Sequence, residues 1–345
     1  MQFKTAKPGL LLTPLFLIAP FFLWGTAMVA MKGAIAHTSP FFLASVRLLP
    51  AGILVLLAAW VMKLPQPKTK KAWLWIGLFA LLDGLMFQSF LALGLERTGA
   101  GLGSVMIDSQ PIAIALLSSF LFGEAIGFWG WLGLLIGIAG ISLIGLPDAW
   151  LLNLVQGNGG EISAIGQQLL NNGQGLMLLA ALSMATGTVS IRYVARHADP
   201  IVATGWHMIL GGLPLLGFSL VGESQQWQNL TGNDWLALAY ATIFGTAIAY
   251  GIFFYIANQE NLTSFTALTF LTPVFALLFS HLWLSEVLSP LQWWGVGLTL
   301  ISIFAINQRS RLETWLPNWR DGFFDLIARK AQRITEQLNK TDLLG

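Results

Sequence analysis

The chain contains no cysteine, which excludes disulfide frameworks and thiolate metal sites. Charge is nearly as scarce. Asp, Glu, Lys and Arg make up 10% of the 345 residues and hydrophobic residues 55%, where a soluble domain carries about 25% charged residues. A chain of this length with so little charge cannot cover a water-facing surface, and the bilayer is its natural solvent. Cofactor signatures are missing too. The histidines stand apart at 37, 197, 207 and 281 with no H-E-x-x-H spacing, against a zinc-protease site. There is no TVGYG potassium filter, no mid-span lysine for a retinal Schiff base, and no ATP-binding motif for a primary pump. GAGLGS at 99–104 imitates a dinucleotide loop, but it joins two apolar runs instead of following a strand of a βαβ unit. No cofactor, metal or nucleic acid is expected.

What the chain does have is apolar runs of about 20 residues, the length that spans a bilayer as a helix. Ten occur, at roughly 14–32, 40–61, 72–95, 101–122, 127–146, 174–194, 200–220, 234–257, 263–284 and 288–307. None alternates polar and apolar residues like a membrane β-strand. The first follows Lys4 and Lys7 but continues to about Met31 with no A-x-A site, so it reads as a retained span and not a signal peptide. With the N-terminus inside, the cytoplasmic face collects Lys4, Lys7, Lys63, Lys68, Lys70, Lys71, Arg192, Arg196, Arg309, Arg311, Arg320, Arg329, Lys330, Arg333 and Lys340, which is 15 of the 18 basic residues. The outer face receives Lys32 and Arg97, and the loops 147–173 and 221–233 hold no Lys or Arg. This asymmetry predicts both termini in the cytoplasm, and fits a bacterial inner membrane.

The two halves repeat. With a shift of 160, Pro40 meets Pro200, Thr26 meets Thr186, Val29 meets Val189 and Gly52 meets Gly212. With a shift of 162, Pro111 meets Pro273, Ser118 meets Ser280, Glu124 meets Glu286, Trp131 meets Trp293 and Gly133 meets Gly295. Five spans per half make the second copy enter from the opposite face, the inverted architecture from which many secondary transporters build alternating access. The expected fold is an all-α membrane protein of ten transmembrane helices in two inverted five-helix repeats. Its parts are a cytoplasmic N-terminus 1–13, a first repeat 14–146, an extracytoplasmic polar loop 147–173, a second repeat 174–307 and a cytoplasmic tail 308–345.

Several stretches resemble the drug/metabolite transporter superfamily, in its EamA-like branch of ten-span exporters. They are FFLWGTAMVAMKGA in the first span, SPFFLASVRLLPAGILVLL in the second, SQPIAIALLSSFLFGEAIGFWGWLGLLIGIAGISLIG across the fourth and fifth, and their second copy FLTPVFALLFSHLWLSEVLSPLQWWGVGLTLISI. The resemblance implies export of small metabolites, such as amino acids, or of amphiphilic drugs. Two features depart from the family pattern: the loop 147–173 is long and rich in Gly, Asn and Gln, and His207 stands where the first half has Arg47.

Charges at a helix centre cost on the order of 2.5–3.5 kcal/mol each, and three stand inside spans: Arg47, Asp83 and Asp108. Arg47 and Asp108 lie some seven residues from the outer ends of their spans, roughly 10 Å deep at 1.5 Å per residue, so they are expected to pair. Asp83 falls near mid-membrane. These are either a structural ion pair or a pathway for substrate or proton. Ser104, Asp108, Pro111, Ala115 and Ser118 share a helical face, and Thr266, Thr269, Pro273, Ala276 and Ser280 form the matching stripe. Each proline removes a backbone donor and frees a carbonyl, at Ile107 and Thr269, tolerated at this depth only against protein or a wet cavity. Trp24, which matches the family's first-span tryptophan, and Gln88, Thr186, His207 and Tyr250 complete the candidate pathway. The predicted mechanism is alternating access around a central cavity, with Asp108 and Arg47 as a switchable pair and Asp83 contacting substrate or proton.

Glycines 130, 133, 137 and 140, with 295 and 297, permit close helix approach, either between the halves or in a homodimer. Residues 321–338 read as a basic amphipathic helix on the anionic leaflet. Small-molecule substrate, lipid and a proton as coupling ion are the expected partners. A facilitative carrier or importer of sugars or sugar derivatives is the alternative within the class. A membrane receptor or scaffold, or an intramembrane enzyme using Asp83 and Asp108, are the alternatives outside it.

Overall fold

The computed structural model describes residues 13–31, 34–97, 107–124, 126–145, 173–284, 289–309 and 311–312. Among them every regular element is a helix: α1 (Thr13–Met31), α2 (Pro40–Val61), α3 (Lys70–Phe79), α4 (Gln88–Arg97), α5 (Gln110–Phe122), α6 (Gly127–Gly145), α7 (Gln174–Val194), α8 (Pro200–Gly222), α9 (Gly232–Thr242), α10 (Ala249–Ala257), α11 (Leu262–Thr266), α12 (Leu271–Leu284) and α13 (Pro290–Asn307). A π-helical stretch, Ala80–Phe87, joins α3 to α4, and another, Ile243–Ile248, joins α9 to α10. Among the described residues, eight helical runs are long and apolar enough to cross a bilayer: Pro14–Met31, Pro40–Val61, Lys70–Gly94, Gly127–Ile144, Gly175–Val194, Pro200–Gly222, Gly232–Ala257 and Leu262–Phe279. The protein is a helical membrane protein. Of the other two expected spans, α5 has 13 residues. The 18-residue α13 is diluted by Gln292, Trp293 and Trp294 near its start and Asn307 at its end.

The chain writes its own boundaries. Prolines 40, 200 and 290 open helices at the first turn, where a missing N–H costs nothing. Asp199 and Ser289 accept hydrogen bonds from the backbone of those turns. At the end of α5, Gly123 adopts φ +66°, and the amides of Gly123 and Glu124 return to the carbonyls of Ser119 and Ser118. Glycine ends a helix this way because the left-handed conformation carries no Cβ penalty.

Two helix pairs set the architecture. α2 packs along α8, and α6 packs along α13. A Cβ on Gly52 would lie 2.9 Å from the Gly205 carbonyl oxygen, and one on Gly295 would lie 2.7 Å from that of Gly140. Backbone meets backbone here, which only glycine permits. The glycine faces of α6 and α13 thus meet within one chain, and Ser302 Oγ donates to the Gly133 carbonyl at 2.6 Å.

Local geometry repeats where the sequence repeats. Thr26 Oγ1 donates to the carbonyls of Phe22 and Leu23, and Thr186 Oγ1 to those of Leu182 and Ser183. Pro111 is the second residue of α5 and Pro273 the third of α12, which follows a 3₁₀ turn at Ala267–Phe270. Each proline sits in the first turn of a new helix, and the chain restarts where a donor is missing. Loop 147–173 (all but its last residue), the tail beyond 312, Glu286, Lys32 and the GAGLGS segment lie outside the described residues.

Candidate functional site

Tyr250, at the start of α10, is the hub of a buried polar cluster. Its hydroxyl accepts from Gln88 Nε2 at 3.2 Å, and these two residues are 162 apart, matched positions of the repeat. The Trp24 ring meets it edge-on with centroids 5.2 Å apart, and the His207 ring lies 6.5 Å away. Asp83 and Arg47 both lie within electrostatic range of it. Asp83 Oδ2 is 3.1 Å from His207 Nε2, and both side chains are fully buried. Arg47 Nη2 donates to Thr246 Oγ1 at 3.5 Å, a long bond.

The π-helical stretches put these groups in reach. A π turn widens the helix by one residue and is common at functional sites. The first carries Asp83 and the second Thr246. Thr246 Oγ1 also donates to the carbonyl of Ala241, five residues back, so the side chain serves a carbonyl of the widened turn. Backbones are tight around Asp83. A Cβ on Gly84 would come within 2.7 Å of the His207 carbonyl oxygen, and one on Gly187 within 2.7 Å of Asp83 Cβ. Phe79 and Phe254 wall the imidazole, with ring centroids at 4.1 and 5.6 Å.

The cluster is incompletely satisfied. Trp24 Nε1, Arg47 Nε, Asp83 Oδ1 and His207 Nδ1 are buried without a hydrogen-bond partner. Buried polar atoms are paired in the great majority of cases, and four of the unpaired ones fall in this neighbourhood, two of them donors by chemistry (the indole and the guanidinium).

Six of the sequence-predicted residues meet here: Trp24, Arg47, Asp83, Gln88, His207 and Tyr250. The expected Arg47–Asp108 pair does not form. Asp108 is buried, and no described residue gives it a hydrogen bond or ion pair. The reason is packing: α5, which follows Asp108, lies against α7 and α11, while Arg47 rides on α2 against α8. Depth along the membrane matched, but the helices are not neighbours. Thr186 spends its hydroxyl on its own helix. Pro111, Pro273 and Thr269 are buried away from these contacts, and Thr269 Oγ1 has no partner.

Each end of the bundle is tied by a glutamate. At the end where α7 finishes, Glu124 accepts from Arg192 Nη1 at 2.9 Å, from the amides of Leu262 and Thr263 at 3.3 and 3.4 Å, and from Thr263 Oγ1 at 3.2 Å. At the opposite end, where α8 finishes, Glu223 accepts from Ser39 Oγ at 2.6 Å and from the amides of Phe41 and Phe42 at 2.8 and 3.0 Å. His37 Nδ1 is 3.0 Å from Asp234 Oδ2 beside it. Sequence reasoning named Glu124 only as the repeat match of Glu286 and did not single out Glu223, Asp234 or Thr246. A glutamate after an apolar run signals a cap only once its partner helix is known.

Among the described residues, eight bilayer-length helices accompany a buried, partly unsatisfied polar cluster, the makeup of a helical membrane protein. The chain belongs to the EamA-like transporter family, which matches residues 11–146 and again 171–308. It is 62% identical to the uncharacterized transporter sll0355 of Synechocystis sp. over 92% of this chain and 96% of that one. It is 50% identical to the chloroplastic WAT1-related protein At3g02690 of Arabidopsis thaliana over 84% of this chain and 68% of the other. The uncharacterized inner membrane transporter YedA of Escherichia coli is 25% identical over 86% and 91%. A solved crystal structure shares the fold with a TM-score of 0.68 at 18% identity, covering 86% of this chain and 96% of its own.

Proposed function

We propose that this protein is a secondary transporter of ten spans in two inverted five-span halves, with both termini in the cytoplasm of a bacterial inner membrane. It exports small metabolites, amino acids or related compounds, or amphiphilic drugs by alternating access. One observation carries this reading: the buried cluster of Trp24, Arg47, Asp83, Gln88, His207 and Tyr250 draws on both family-matched segments and leaves polar atoms unsatisfied. A site at the junction of two repeats is exposed to either side in turn when the halves rock. Supporting evidence for the repeat is the doubled family match, the paired π-helical stretches and the identical threonine bonds. The ties at Glu124 and Glu223 each join the first matched segment to the second, so each suits a closure that opens while the other holds. The basic residues of 63–71 and 192–196 support an inward orientation for the α7 end.

The test is flux from sealed proteoliposomes loaded with a mixed pool of amino acids and small metabolites, for wild type, Asp83→Asn and Asp108→Asn. Selective efflux by the wild type that Asp83→Asn abolishes in a folded protein is the expected result. Equal efflux by wild type and Asp83→Asn removes the cluster from the pathway. Absence of wild-type efflux for any pool member counts against export of these classes.

A further inference from the structure

We infer that the Asp83–His207 pair is the proton-binding site that couples transport, a conclusion that rests on the transporter reading and names its driving ion. The repeat supplies the argument. Arg47 and His207 are matched positions, and each reaches across to a π-helical stretch of the other half, Arg47 to Thr246 and His207 to Asp83. One crossing joins a permanently charged group to a neutral hydroxyl. The other joins a titratable base to an acid. Only the second offers an unpartnered ring nitrogen that can take up a proton.

The groups that face the pair are few. α2 contributes Arg47 as its only ionisable residue, and α10 contributes Tyr250. α3 presents Phe79, its Lys70 and Lys71 being exposed at the far end, and α7 presents Gly187 beside Asp83. No second carboxylate among these elements competes for the proton. With the imidazole neutral, Nε2–H donates to Asp83 Oδ2, and Nδ1 keeps a lone pair that meets no protein donor. A proton adds to that lone pair, no bond breaks, and the pair passes from net −1 to net zero as an imidazolium–carboxylate. Charge-assisted hydrogen bonds are roughly twice as strong as neutral ones. The proton therefore tightens a junction where the backbones of Gly84 and Gly211 already touch, a Cβ on Gly211 lying 2.5 Å from Gly84 Cα. Small separations there break the bond, so proton occupancy and the relative position of the halves are linked.

Two measurements on the wild type decide the matter. Histidine-labelled protein in lipid nanodiscs, with His207 assigned by its loss in His207→Gln, is titrated by NMR from pH 5 to 9. The expected result is a change of charge state of the His207 ring within this range, and an altered profile in Asp83→Asn. Separately, proteoliposomes containing pyranine report proton movement during efflux of the solutes that the wild type carries, and net proton counterflow is expected. A His207 ring that keeps one charge state across this range overturns the proposal, as does efflux with no accompanying proton movement. If no pool solute moves, export of these classes fails and coupling to it with it, whereas a His207 ring that changes charge state would still establish the proton site on its own.

Discussion

Replacing Glu124 by alanine tests whether the ties at the bundle ends are gates. Its carboxylate holds Arg192 and completes the first turn of α11, whose Ser264 amide is already met by Asn261 Oδ1. The alanine variant leaves Arg192 with the Glu260 carbonyl and a cation–π contact to Phe122 at 4.8 Å, and strands the amides of Leu262 and Thr263. A hydrogen bond to a charged group contributes about 1.5–3 kcal/mol and a helix cap about 1 kcal/mol. The side chains of Arg192 and Glu124 are 20% and 10% exposed, so solvent screens part of this, and the net loss is about 2 kcal/mol. At about 1.4 kcal/mol per tenfold, the open form at this end gains roughly 30-fold. The assay exploits the absence of cysteine: Thr266→Cys, fully buried one turn inside the tie, is a unique thiol. Its labelling by a membrane-impermeant maleimide in open membranes should accelerate about 30-fold, in proportion to that population, in the Glu124→Ala background. Equal rates in a protein with an unchanged fold would refute the reasoning.

Glu223→Ala should do the same at the opposite end, exposing a Ser45→Cys thiol while leaving Thr266→Cys protected, since Ser45 is buried one turn inside α2. Gly140→Leu should cost about 1–3 kcal/mol by overpacking, read as a lower melting temperature in detergent, because even a Cβ there lies 2.6 Å from Thr299 Oγ1 and 2.8 Å from its amide nitrogen. Asp83→Ala should destabilise by about 1–3 kcal/mol, the cost of leaving the buried His207 N–H without its acceptor. Asp108→Asn, which breaks no ion pair among the described residues, should leave the melting temperature unchanged or raise it.

Much of this protein was legible before any coordinate. Charge scarcity and run length identified a helical membrane protein, and motif order identified the family, because both are properties of local composition. Trp24, Gln88, His207 and Tyr250 were found as polar groups at depths where polarity is costly. The errors share one cause. Arg47 and Asp108 were matched by depth, a coordinate that sequence supplies through rise per residue. Partnership also depends on which helices are neighbours, and periodicity is silent on that. The π-helical stretches were missed because ALLDGLMF and IFGTAI carry no composition that separates a widened turn from an ordinary one. The repeat itself pairs Gln88 with Tyr250, but nothing in one dimension says that matched positions touch.

The sequence alone was enough to identify the solvent and most of the helices, since both follow from the cost of polar groups in hydrocarbon summed along one segment. Tertiary structure decided that the glycine faces of α6 and α13 close on each other within the chain. It also decided that Asp83, not Asp108, finds the basic partner, and that Glu124 and Glu223 tie opposite ends. Those outcomes depend on which surfaces meet at distances of 3–4 Å, where hydrogen bonds and close packing act, and that is settled only when all the helices pack together.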